Sequence, residues 1–100
     1  MELIIDKERS KVVIRLHGDL DGSSACEVEQ ALRRLGGARR GCNLVFDLRG
    51  IRRVEYYGLA LLAQSIRKVR DQFAAISLTG LEDGTAGVLR GFGLEEAAVF

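Results

Sequence analysis

The sequence has no proline and no tryptophan, and only two cysteines and one histidine. With 47% hydrophobic and 29% charged residues, this composition argues against disorder, collagen-like repeats and low complexity. Cys26 and Cys42 form no CxxC pair and have no nearby histidine for zinc. They are also too few for the disulfide framework of a small secreted domain, so a reducing cytoplasm is expected. No run approaches the ~20 apolar residues that span a bilayer, so no membrane insertion is expected. The start, Met1-Glu2-Leu3-Ile4-Ile5-Asp6, lacks the basic region and apolar stretch of a signal peptide. Neither sign of charge dominates: 15 Lys+Arg against 14 Asp+Glu gives a net charge of +1. A dedicated nucleic-acid binder would carry a larger basic excess, so no nucleic-acid partner is expected.

What is present fits one domain over residues 1–100, long enough to bury a core without metal or disulfides. Leu3-Ile4-Ile5 and the β-branched run Lys11–His17 predict a hairpin, with Val12, Ile14 and Leu16 on one face. Gly18 is expected to end the second strand, and Asp19-Leu20-Asp21-Gly22 to form a turn. Ser24 and Glu27 have capping-box spacing. Ala25, Val28, Ala31, Leu32 and Leu35 then recur at helical spacing until Gly36-Gly37. Asn43–Leu48 reads as a buried central strand between Gly41 and Gly50.

Gly58 is expected to open a longer helix with Leu59, Leu62, Ala63, Ile66 and Val69 as its stripe. Ala75–Thr79 reads as a further strand, and Asp83 as the cap of a glycine-weakened third helix reaching Phe92. The tail from Leu94 adds a final turn or strand. Strands alternating with helices imply an α/β fold, a mostly parallel central sheet behind an N-terminal antiparallel hairpin, with helices packed over it.

Catalytic signals are missing. His17 has no nucleophile and orienting group in a recognisable arrangement, and no phosphate-binding glycine loop occurs. The chain is therefore expected to be a non-enzyme that needs no cofactor and no metal. Between Arg33 and Arg53, seven arginines face the single acid Asp47. Such a segment suits an acidic partner or a phosphate, or simply a solvated helix end and two loops. Glu55-Tyr56-Tyr57-Gly58 sits between a buried strand and a helix start, where α/β folds place ligand and partner sites. Exposed tyrosine is favoured at interfaces because it buries much area at little entropy cost. The alternative is that one ring packs into the core.

These residues also carry a resemblance. Val12 through Asp21 resembles the strand and turn that open STAS domains, the fold of bacterial anti-sigma factor antagonists. Asn43 through Ile51 is similar to their central strand, and Val54 through Leu62 to their Asp-Ser-Ser/Thr-Gly turn and following helix. Gly80-Leu81 and Gly93-Leu94 match later landmarks. The resemblance covers essentially the whole chain in order. It implies a protein-interaction module whose turn binds an anti-sigma factor with a kinase-like fold, a complex broken by phosphorylation of the turn's first serine. Here Glu55 replaces the Asp, Tyr56 takes the phospho-acceptor position, Tyr57 the second hydroxyl position, and Gly58 keeps the Gly. The implied contact surface is Asp19, Asp21, Ser23, Ser24, Glu55, Tyr56, Tyr57, Gly58, Ala60 and Leu61. Two alternatives stay open. Gly58-Leu59-Ala60-Leu61-Leu62 is also similar to STAS subunits bound to the ATPase of bacterial lipid-transport ABC systems. A small-ligand sensor using the same helix start is the other, although Glu55 would repel an anion there.

Overall fold

The computed structural model describes residues 1–35, 39–80 and 98–99, and its elements follow the expected alternation. β1 (Glu2–Lys7) and β2 (Lys11–Leu20) form the antiparallel hairpin, with Leu3 opposite Leu16 and Ile5 opposite Ile14. Helix α1 (Gly22–Leu35) leads to β3 (Arg39–Val54), and α2 (Tyr56–Val69) with one 3₁₀ turn (Arg70–Gln72) leads to β4 (Phe73–Thr79). The two-residue β5 (Ala98–Val99) closes a sheet of order β1-β2-β3-β4-β5, in which β2 to β5 run parallel. The helix expected between Asp83 and Phe92, the landmarks beyond Gly80 and the Gly36-Gly37 stop lie outside the described residues.

One face of the sheet carries the core. Val12, Ile14, Leu16, Leu44, Phe46 and Leu78 are buried against Val28 and Leu32 of α1 and Leu59, Leu62 and Ile66 of α2. Each such side chain contributes roughly 1.5–3 kcal/mol relative to exposure, so this shared cluster fixes both helices on that face. All five predicted α1 positions are buried, and of the α2 stripe only Val69 stays partly exposed.

The boundaries differ from expectation where tertiary pairing overrides local signals. β2 does not end at Gly18. That residue adopts φ +119° beside a register shift, and the strand continues to a fully buried Leu20. β3 runs ten residues beyond the expected Asn43–Leu48, because β2 and β4 pair with it on both sides. Glycine fits at position 50 inside the strand, where a side chain would run into the His17 ring and the Leu16 carbonyl oxygen. The arginine-rich segment is thereby divided: Arg39 and Arg40 begin β3, while Arg49, Arg52 and Arg53 lie at its far end.

Across the sheet's other face runs a row of alternating charges. Asp47, only 8% exposed, accepts from Arg49 Nε at 3.0 Å and Nη2 at 2.8 Å, with Arg15 Nε 3.6 Å away. Arg15 in turn pairs with Asp6. The Arg49 hydrogen bonds hold the Asp47 carboxyl well below its ordinary value of 3.8, at about 2.

Candidate functional site

The turn between β3 and α2 is held against the turn between β2 and α1. Glu55 N–H donates to the Leu20 carbonyl at 2.9 Å. A Cβ on Gly58 would lie 2.6 Å from Asp21 Cα and 2.7 Å from the Leu20 oxygen. Only glycine allows the two backbones to approach this closely. Both helix starts therefore meet at the C-terminal ends of β2 and β3, where a parallel sheet presents its ligand and partner sites.

The start of α1 is capped three residues earlier than expected. Ser24 is not the cap but the third helical residue, and Asp21 precedes the helix. The Ser24 amide donates to Asp21 Oδ1 at 2.9 Å, and the Asp21 amide donates to Ser24 Oγ at 2.8 Å. This reciprocal pair satisfies two otherwise orphaned donors, which a Ser24–Glu27 box would not have done at this boundary. The Ser24 hydroxyl also donates to the Asp19 carbonyl at 2.9 Å. The same contacts, the Ser24 amide first, hold the Asp21 carboxyl below its ordinary range.

Helix α2 begins at Tyr56, two residues before Gly58, and Glu55 stands at its N-cap position without a capping side-chain bond. Tyr56 and Tyr57 thus occupy the first turn of the helix, where side chains point outward. They are 69% and 67% exposed, so neither ring packs into the core. Tyr57 is nevertheless seated, because its ring lies 3.0 Å from where a side chain on Gly22 would begin. Ala60 and Leu61 are half-buried beside it, and Gly58 is buried.

The ten residues named from the sequence accordingly separate into two kinds. Asp19, Asp21, Ser23, Glu55, Tyr56, Tyr57, Ala60 and Leu61 reach the surface around the two adjoining turns. Ser24, 3% exposed, and Gly58 lie beneath it and set its shape. Two contributors escaped sequence reasoning. Val54, 37% exposed, is a further apolar residue at the end of β3, directly before Glu55. Gly22 read only as turn material, since its role as the seat for Tyr57 depends on a contact distant in sequence.

Among the described residues no group of three or more His, Cys, Asp or Glu is arranged to hold a metal. Nor does any described helix have the length and apolarity to cross a membrane. Both cysteines are free thiols.

A hairpin-led parallel sheet with helices over one face and an aromatic turn at a helix start defines a small α/β domain. The family model described as Mlab, STAS domain, matches residues 4–99, and the chain belongs to the STAS domain family. Among solved structures it is similar to RsbS of Moorella thermoacetica carrying a serine-to-glutamate substitution. The TM-score is 0.73 at 22% identity, over 100% of this chain and 86% of that one. The anti-sigma factor antagonist SpoIIAA in its unphosphorylated form gives a TM-score of 0.68 at 16% identity, covering 99% and 88%. A chain from the molecular architecture of the stressosome, a signal integration and transduction hub, gives 0.66 at 19%, covering 96% and 85%. No curated protein matches.

Proposed function

We propose that the chain is a non-enzymatic regulatory module of the cytoplasm that binds a protein partner through the first turn of α2. The observation that carries this reading is the pair of exposed tyrosines, Tyr56 and Tyr57, on a turn braced by buried backbone contacts. Large amphipathic rings on a rigid support lose little entropy on binding, which is the physics of an interface anchor. Val54, Ala60 and Leu61 extend the apolar centre, and Asp19, Asp21, Ser23 and Glu55 form a polar rim.

The partner is an anti-sigma factor or a related protein, in keeping with the anti-sigma factor antagonist SpoIIAA among the structural neighbours. Tyr56 stands at the position of the phospho-acceptor serine, and its phenol is a poor substrate for a serine kinase site. It therefore serves as a permanent anchor and not as a switch. A second reading, binding to the ATPase of a lipid-transport ABC system, is favoured by the Gly58–Leu62 run at the head of α2.

The test is Tyr56→Asp in the tagged chain, purified from native cells beside the wild type. Recovery of a kinase-like anti-sigma factor, lost in the variant while its circular dichroism and melting temperature hold, supports the first reading. Recovery of a transporter ATPase moves the protein to the second. Equal recovery by both versions would remove Tyr56 from the interface.

A further inference from the structure

At the opposite end of the helices lies a second feature, independent of the tyrosine turn. The C-terminal halves of α1 and α2 enclose a groove of about 340 Å³, at the small end of ligand pockets. Leu32 and Val69 supply apolar wall, and Gln72 lies at one end. Ser65 also lines it. Its side chain belongs to a residue only 4% exposed, and among the described residues its hydroxyl has no hydrogen-bond partner. A buried hydroxyl without a partner is unfavourable, so the groove holds an unmet polar demand.

Its charge is unmatched as well. Glu29 Oε1 accepts from both Arg33 Nη2 at 3.1 Å and Lys68 Nζ at 3.3 Å. The Lys68 contact, with Arg33, holds the Glu29 carboxyl below its ordinary range, so it stays ionised at neutral pH. One carboxylate against two cations leaves one positive charge over. A dianion would exceed that charge, so a single negative charge is the match.

We propose that this groove binds a small amphipathic monoanion, a carboxylate with a short apolar tail. The carboxylate bridges Lys68 and Arg33 and accepts from the Ser65 hydroxyl, and the tail lies on Leu32 and Val69. The Ser65 donor gains its missing partner and the spare charge is neutralised in one step.

Sodium octanoate titrated into the ¹⁵N-labelled full chain tests this, with acetate as a head-only and 1-octanol as a tail-only probe. Octanoate should give saturable amide shifts at Leu32, Ser65, Lys68 and Val69, with the two partial probes at least about tenfold weaker. Lys68→Gln should weaken octanoate about tenfold, and Glu29→Gln should tighten it several-fold, because the two changes move the groove charge in opposite directions. Ser65→Ala should weaken it a few-fold without lowering the melting temperature, since the hydroxyl gives up no internal bond. No saturation below about 10 mM would overturn the proposal. So would shifts scattered outside the groove, or two charge variants with unaltered affinity.

Discussion

Gly58 shows how a single residue sets how closely the β3–α2 turn can approach the β2–α1 turn. Its hydrogen atoms face Asp21 and Leu20 backbone atoms, which cannot rotate aside as a side chain does. Gly58→Ala is therefore expected to cost about 1–3 kcal/mol and shift the urea midpoint down. Gly41, with nothing within 4 Å of a built Cβ, is the matched control, and alanine there should be neutral or mildly stabilising. Equal midpoints for the two variants would show that α2 does not press on the β2–α1 turn. Asp47 is decisive in a different way. Its folded-state pKa of about 2 lies below its ordinary 3.8, so the stabilisation is present above pH 3.8 and is lost as pH falls toward 2. The shift corresponds to about 2 kcal/mol at neutral pH. Stability measured from pH 6 to 2 should drop more steeply for the wild type than for Asp47→Asn, and parallel curves would refute the assignment.

At the scale of elements, the helices were legible because their apolar residues repeat every three or four positions, and the structure buries those same positions except the partly exposed Val69. Their starts were less legible. Ser24–Glu27 and Asp21–Ser24 both have capping spacing, and only the position of Leu20 in the sheet selects the second. Replacing Ser24 by Ala should cost about 1 kcal/mol in thermal or urea unfolding, whereas Glu27→Ala should change little. A larger loss for Glu27→Ala would restore the later cap. The strands were underestimated for a related reason. Gly18 and Gly50 look like terminators locally, yet a positive φ at Gly18 and the His17 ring over Gly50 let β2 and β3 continue. The tyrosines stood out in the sequence as exposed interface residues, and the alternative of one ring in the core falls because both stand exposed in the first turn of an α2 that starts at Tyr56 and not at Gly58.

Over the whole molecule, chemistry is divided between the two ends of the helices. One end gathers the tyrosines, Val54 and the acids of the two turns; the other holds the Glu29–Arg33–Lys68 groove. The sequence showed the arginine-rich segment as one block, and the length of β3 separates it in space, so local charge counting could not place it. The division also sets what partner binding should protect. Hydrogen exchange of the chain alone and in complex with the partner recovered from cells tests the central claim most directly. Binding through the first turn of α2 predicts slowed exchange in segments 19–24 and 54–61, with the C-terminal halves of α1 and α2 unchanged. Protection confined to those C-terminal halves, or to the charged face of the sheet around Arg15 and Asp47, would contradict it.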